Sequence, residues 1–308
     1  LSARHRAVLA SPPTQFQRYL LYEINWSSAT IAILGPRGVG KTTLLAQKLI
    51  DLDLPVEKAI YIDLGDLIFQ DIKLIDFAEY FLEHGGQYLF LDEVHRYTHD
   101  TWASEIKSMH DYYRDRLKVV FSGSSILRIL DASADLSRRV HFYHLPGLSF
   151  REYLVLKTNL SIPVYQLAEL LDHPSKIQSD LLDIPGFEPL PVFRQYLERG
   201  YYGFVIEDEH GYYDQINKMI QLVLGEDIAY ASNSKRADAM KLSRLLQAVA
   251  SSTPFKPNIS KLASRVELGR NTVIEYFEIL ESARVISQVR AEGKGISVLS
   301  KTDKLYMD

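Results

Sequence analysis

The chain contains no cysteine among its 308 residues, which excludes disulfide bonds and thiolate metal sites. No apolar run approaches the roughly 18 residues that a membrane-spanning helix needs, so we expect no membrane partner. The first ten residues, LSARHRAVLA, lack the apolar core of a signal peptide. The chain begins at Leu1, so we expect a trimmed chain or a fragment.

Charge is unevenly distributed along the chain. The net charge is −4, but Lys235 to Asp308 carries +5 and the rest therefore carries −9. A basic C-terminal unit with a polyanionic partner and an unevenly charged solvated surface both explain this difference, and both remain open. The length predicts about two domains.

One stretch organises the chain, namely GPRGVGKTT from Gly35 to Thr43. It fits the phosphate-loop pattern of Gly, four residues, Gly, Lys and Ser or Thr. The β-branched run Thr30–Leu34 predicts a buried strand before it, and Leu44–Ile50 predicts a helix after it. The residues expected to bind ATP or ADP are Gly35, Pro36, Arg37, Gly38, Val39, Gly40, Lys41, Thr42 and Thr43.

The chemistry of this loop assigns two side-chain roles. Lys41 is expected to reach the β- and γ-phosphates, and the Thr42 hydroxyl is expected to hold Mg²⁺. Backbone N–H groups of the loop and the positive end of the following helix favour an anion at the same place.

A second site follows at the end of the apolar run Tyr88–Glu93 (YLFLDE). Asp92 is expected in the Mg²⁺ shell, and Glu93 is expected to activate the water that attacks the γ-phosphate. The alternative is that Asp92 and Glu93 are simply two surface acids at the end of a strand. The spacing of 51 residues after Lys41 favours the catalytic interpretation.

The strand Leu117–Phe121 ends in a serine-rich stretch. We expect Ser124, in preference to Ser122, to contact the γ-phosphate or orient the water, although serine and glycine also form simple turns.

Alternating strands and helices predict an α/β fold, a P-loop NTPase whose parallel sheet is sandwiched by helices. We expect three units: residues 1–148 as the ATPase core with an N-terminal helix at Thr14–Trp26, residues 149–234 as a helical lid, and residues 235–308 as a winged helix-turn-helix. The predicted wing strands are Val285–Arg290 and Gly295–Leu299.

The expected recognition helix of the last unit, Asn271–Ala283, has residues that favour DNA binding and residues that oppose it. Arg270, Asn271 and Thr272 lie where such a helix enters a DNA groove, whereas glutamates along the same helix would repel DNA. Contact with DNA and contact with a protein both remain open.

Four segments together resemble the predicted AAA+ ATPases of prokaryotes: GPRGVGKTTLL, YLFLDEVHRY, VVFSGSS and LSRRVHFYHLPGLSFREYL. The resemblance implies an ATPase core joined to a winged helix, often followed by a domain resembling a restriction-endonuclease fold. It places Ser124 at the first sensor position. It also implies a nucleotide-sensing or finger arginine at Arg138 or Arg139, acting within the chain or on a neighbouring subunit of an oligomer.

These features predict a cytoplasmic, Mg²⁺-dependent ATP hydrolase that couples nucleotide state to movement of the lid and winged helix. The alternative is an ATP-gated regulator that binds nucleic acid or protein with little or no hydrolysis. A small-molecule kinase also uses such a loop, but the pair Asp92 and Glu93 argues against it.

Overall fold

The computed structural model describes residues 2–10, 16–99, 101–123, 136–206, 208, 210–227, 239–252, 256–290 and 302–307. Within these ranges, helices are too short or too polar to cross a membrane. Ser124, the serine expected at the γ-phosphate, lies outside the described residues, as does the predicted strand at Gly295–Leu299.

A five-stranded parallel sheet forms the body of the molecule, as predicted. Its spatial order is β2-β3-β4-β1-β5, so β1 lies between β4 and β5 and is separated from β3 by β4. The strands are β1 (Thr30–Leu34), β2 (Ala59–Asp63), β3 (Tyr88–Asp92), β4 (Lys118–Gly123) and β5 (His141–His144).

Side chains alternate between the two faces of this sheet, because successive residues of a strand point in opposite directions. Ile31 and Ile33 belong to one apolar cluster, and Ala32 and Leu34 belong to another. Both faces are therefore covered, which explains why the strands read as continuous apolar runs. The helices of this part are α1 (Ser2–Ala10), α2 (Leu20–Glu23), α3 (Lys41–Asp51), α4 (Leu74–Glu83) and α5 (Trp102–Tyr113).

The helix expected over Thr14–Trp26 is reduced to α2 in the described part of the chain. Residues 16–18 are not helical, and their polar groups are bonded elsewhere. The Phe16 carbonyl accepts a hydrogen bond from Gln47 Nε2 at 2.6 Å, and the Arg18 guanidinium binds residues far along the chain. These tertiary contacts replace the local bonds that would continue a helix.

The part after the sheet is helical, in agreement with the prediction. It begins with a capping box, in which Ser149 and Glu152 satisfy each other's backbone N–H groups. Its helices are α6 (Phe150–Thr158), α7 (Leu167–Asp172), α8 (Pro174–Leu182), α9 (Pro189–Arg199) and α10 (Tyr212–Leu222).

The C-terminal part has its own apolar cluster, built on residues such as Leu242, Leu262, Phe277 and Leu305. Helices α11 (Ala239–Ala250), α12 (Ile259–Arg265) and α13 (Arg270–Ser282) precede the antiparallel pair β6 (Ile286–Arg290) and β7 (Thr302–Met307). The partner of β6 is therefore later in the chain than the predicted second wing strand. That this unit is a winged helix stays a prediction.

Replacement of Phe90 by alanine tests the packed sheet, since this β3 side chain is fully buried. We expect a loss of about 3–5 kcal/mol in the free energy of unfolding, from lost burial and the cavity left behind. Both tryptophans, Trp26 and Trp102, lie in the α/β body, so urea titration followed by tryptophan fluorescence reports this part. Tyr112→Ala is the control because Tyr112 is 74% exposed. Equal changes for both variants would contradict the assigned core.

Candidate functional site

The loop between β1 and α3 is a tight glycine turn held against β5. Gly38 and Gly40 have φ values of 82° and 95°, a region that favours glycine. Gly40 is the residue directly before the first turn of α3. A Cβ on Gly35 would lie 2.2 Å from the Leu145 carbonyl oxygen, so only glycine fits there. The loop therefore turns at the N-terminus of α3, where N–H groups and the helix dipole favour a phosphate.

Lys41 is buried and folds back over the loop. Its Nζ donates hydrogen bonds to the Gly35 and Pro36 carbonyl oxygens at 2.9 and 2.8 Å. The ammonium group is thus held inside the turn, from which it can reach an anion bound there.

The Asp92 carboxylate accepts hydrogen bonds from side chains of α3, β2 and β4. Oδ2 accepts from Thr42 Oγ1 at 2.6 Å and from Tyr61 OH at 2.7 Å, and Oδ1 accepts from Ser122 Oγ. Burial and the adjacent Asp92 charge raise the pKa of Tyr61, so the phenol stays protonated and donates. Thr42 and Asp92 place two hard oxygen donors side by side, which is the donor set that Mg²⁺ prefers.

Glu93 adopts a left-handed backbone conformation, with φ at 57°. Such a conformation is uncommon for a residue with a side chain, and strained residues of this kind cluster at functional sites. Its N–H donates to Ser122 Oγ at 3.2 Å and to Asp92 Oδ1 at 3.1 Å, which fixes the turn.

The Glu93 carboxyl group lies among basic side chains. Oε2 is 3.8 Å from both His95 Nε2 and Arg96 Nη1. Burial, followed by the charge of Asp92, raises the pKa of Glu93, whereas Lys41 and Arg37 act in the opposite direction. A carboxylate with a raised pKa is a stronger base, which suits proton abstraction from water.

A cavity of about 300 Å³ opens on the other side of the loop. Its walls combine side chains of the N-terminal segment (residues 16–18) and of the helical part with residues of the loop. Contributors include Phe16, Arg18, Val39, Leu156 and Phe204.

The helical part also covers Gly38. A Cβ there would lie 3.0 Å from Met219 Sδ and 3.3 Å from a Phe204 ring carbon. Phe204 stacks on Tyr202 at a centroid distance of 5.2 Å and an interplanar angle of 13°. The aromatic cluster at Tyr201–Phe204 thus packs internally and closes over the loop.

Arg138 and Arg139 lie at the opposite edge of the sheet. Arg139 Nε binds Asp111 Oδ1 at 2.7 Å, and the neighbouring His110 contacts Thr30, the first residue of β1. The phosphate loop follows the other end of β1, about 13 Å away at ~3.3 Å per residue. Neither arginine is brought to the phosphate loop of its own chain.

Several contacts in this site involve residues that the sequence pattern did not single out. Tyr61 and Arg18 carry no motif signal, although Tyr61 ends up on Asp92 because β2 and β3 pair in register. The sequence preferred Ser124 over Ser122, but Ser122 is the serine that contacts Asp92 in the described part of the chain.

The loop, the parallel sheet and the acids at the end of β3 define a P-loop nucleotide-binding domain of the AAA+ type. Residues 27–154 match the model of an AAA domain family. Residues 190–308 match a domain of unknown function, DUF8612.

The similarity to three known proteins is distant. The uncharacterized protein MJ1637 of Methanocaldococcus jannaschii is 26% identical over 302 residues, covering 92% of this chain and 61% of the relative. The chain thus spans less than two thirds of that protein. RuvB of Thermotoga maritima aligns with 16% identity and a TM-score of 0.34, covering 85% of this chain and 82% of RuvB. AMPPCP-bound DnaA from Aquifex aeolicus aligns with 17% identity and a TM-score of 0.33, covering 85% and 86%. Similarities this distant do not identify a function.

Gly35→Ala tests the packing of the loop against β5. We expect nucleotide affinity to fall by about 100-fold or more, because the new Cβ forces the loop or β5 to move and misplaces the N–H groups. Isothermal titration with ADP and Mg²⁺ measures it. Gly225→Ala is the matched control, since a Cβ there meets no atom within 4 Å. An unchanged affinity for Gly35→Ala would contradict the described loop.

Proposed function

We propose that the chain is a Mg²⁺-dependent ATPase that couples ATP hydrolysis to movement of its helical and C-terminal parts. The observation that carries the proposal is the contact of Thr42 Oγ1 with Asp92 Oδ2 at 2.6 Å, with Glu93 next to it. It joins the loop that would hold the phosphates to the acids that would serve the metal and the water.

Each side chain then has one task. ATP with Mg²⁺ supplies the phosphoryl group and the metal charge that offsets the charge developing during transfer. Lys41 holds the β- and γ-phosphates, while Thr42 and Asp92 hold the metal. Glu93 orients the attacking water and accepts its proton. Most of the catalysis is positioning and charge neutralisation.

The cavity lined by Phe16 and Phe204 supports a place for the base. It adjoins the loop through Val39 and has the mainly apolar walls that suit a flat heterocycle. Its walls come from both the N-terminal segment and the helical part, so a bound base would draw the two together.

A second cavity, of about 250 Å³, supports coupling to the C-terminal part. Pro36 and Arg37 of the loop line it together with Met219 of α10 and with Arg284 and Met307. Movement of the loop on loss of the γ-phosphate would therefore change the packing of the C-terminal unit along this shared cavity. Whether that unit contacts DNA is read out by adding duplex DNA to the ATPase assay at two salt concentrations.

Glu93→Gln should bind ATP like the parent but hydrolyse it about 10²–10⁴-fold more slowly, because the amide cannot accept the proton. Lys41→Ala should fail to bind. Phosphate release and binding of labelled ATP measure the two properties. Rapid turnover by Glu93→Gln would remove Glu93 as the base.

The pH profile of the parent adds a second readout for Glu93. Its raised pKa means that the protonated, inactive form persists to higher pH than for an ordinary glutamate at 4.5. At ATP concentrations well below KM, where the rate reports the pKa of the free enzyme, hydrolysis should therefore fall as the pH is lowered, with a midpoint above 4.5. This limb should be missing from the residual activity of Glu93→Gln.

We further propose that the arginine pair acts on a neighbouring copy of the chain. Arg138 is exposed at the amino edge of the sheet, whereas Arg139 is anchored to Asp111. We therefore assign the contact with the neighbour's γ-phosphate to Arg138, and Arg139 is its control.

Arg138→Ala should lower hydrolysis by about 10³-fold, as loss of an arginine finger does, and Arg139→Ala should lower it less. Mixing Arg138→Ala with Glu93→Gln should restore activity, to about a quarter of the parent value in a random equal mixture of a symmetric oligomer. The rate per chain should rise with protein concentration. No recovery at any mixing ratio would place the arginine outside the shared site.

A further inference from the structure

Arg18 is a buried arginine that joins three distant parts of the chain. Only 5% of the residue is exposed. Its Nε donates to Glu152 Oε1 at 2.8 Å, and its Nη1 donates to the Val39 carbonyl oxygen at 2.7 Å. Its Nη2 donates to the carbonyl oxygens of Pro146 and Gly147 at 2.7 and 2.9 Å. Four of the five guanidinium N–H groups thus have acceptors.

The bond to Val39 fixes one peptide plane of the phosphate loop. In a planar trans peptide, the carbonyl of one residue and the N–H of the next point in opposite directions. Arg18 holds the Val39 carbonyl toward itself, so the Gly40 N–H is directed away from Arg18. Gly40 directly precedes the first turn of α3, where the phosphate is proposed to bind.

Glu152 ties this arrangement to the first helix of the helical part. Its Oε1 accepts from Arg18 and from the Tyr19 N–H at 3.1 Å. Its Oε2 accepts from the Ser149 N–H at 2.9 Å and from Ser149 Oγ at 3.0 Å. The carboxylate therefore caps α6 and neutralises Arg18 at once.

The segment that carries Arg18 is itself anchored to the helix after the loop. Gln47 of α3 donates to the Phe16 carbonyl. With Glu152, Val39 and the β5–α6 connection as its partners, Arg18 is fixed from every side, as a positioning side chain must be.

We propose that Arg18 is a positioning residue of the phosphate loop. It orients the Val39–Gly40 peptide so that the Gly40 N–H faces the bound phosphate. Because Glu152 of α6 binds Arg18, this orientation depends on the position of α6. Movement of the helical part and the affinity of the loop for phosphate are thereby linked through one guanidinium group. This inference rests on the proposed nucleotide site.

The chain offers a direct reporter. Val39–Gly40 is the single Val-Gly pair in the sequence. Protein labelled with ¹³C-carbonyl valine and ¹⁵N-glycine therefore gives one carbonyl-correlated amide signal, that of Gly40. In the parent, saturating ADP with Mg²⁺ should move this amide proton downfield, because a charged phosphate strengthens the hydrogen bond.

The test variant is Arg18→Met combined with Glu152→Gln, which removes the guanidinium without leaving a buried carboxylate unpaired. We expect its ADP affinity to fall at least about tenfold and the ADP-induced Gly40 shift at saturation to fall to less than half. Arg18→Lys should lie between it and the parent, since one ammonium group cannot serve four acceptors in fork geometry. Arg290→Met, which breaks the 2.7 Å ion pair between Arg290 of β6 and Glu281 of α13, should match the parent.

The outcomes separate this inference from the nucleotide site itself. If the parent neither binds ADP nor shows a Gly40 shift, the proposed function fails. If the parent shifts and the double variant shows the same shift at saturation, Arg18 is merely structural, whatever its effect on melting temperature. Should the double variant not fold, Arg18→Lys decides: a full shift overturns the proposal and a reduced shift supports it.

Discussion

The site depends on one carboxylate, Asp92, at the carboxyl end of β3. β3 and β1 are not neighbours, since β4 lies between them. The hydrogen bond of Thr42 to Asp92 spans this gap, and Ser122 at the end of β4 fills it. Because the strands are parallel and in register, their ends meet at one edge. A buried acid there receives hydrogen bonds from β2, from β4 and from the start of α3. Without donors around it, a carboxylate buried this deeply would be costly.

A second polar centre, the pair of Arg18 and Glu152, also holds the phosphate loop in place. Arg18 binds the Val39 carbonyl of the loop, whereas Asp92 binds Thr42 just after it. Buried ion pairs of this kind add little net stability, because desolvation offsets most of the attraction. What they add is direction: the fork of Arg18 specifies which way several carbonyl groups point. Asp92 and Arg18 together hold the loop from two sides, and the aromatic cluster around Phe204 covers its face.

Local patterns predicted most of the α/β part well. The strands expected at Thr30–Leu34, Tyr88–Glu93 and Leu117–Phe121, and the helix after the loop, lie within a few residues of the observed ones. In these segments the local preference of the residues and the buried environment favour the same structure. The N-terminal helix was overestimated, since Phe16 and Arg18 bond to distant residues instead of to their own turn. The described partner of β6 is Thr302–Met307. The predicted wing strand Gly295–Leu299 lies outside the described residues and stays a prediction.

By itself, the sequence determined the phosphate loop, the acids at the end of β3 and the class of fold. The loop and the acids are recognised from short contiguous motifs, and the class of fold is recognised from the alternation of strands and helices. The tertiary structure alone decided which residues support them. Arg18 and Glu152 are 134 residues apart, and Tyr61 and Asp92 are 31 apart. It also decided that Arg138 and Arg139 lie at the edge of the sheet opposite their own loop. The physical reason is that strand order and the path of the chain across the sheet bring such residues together or apart, and no periodicity along the chain encodes that order.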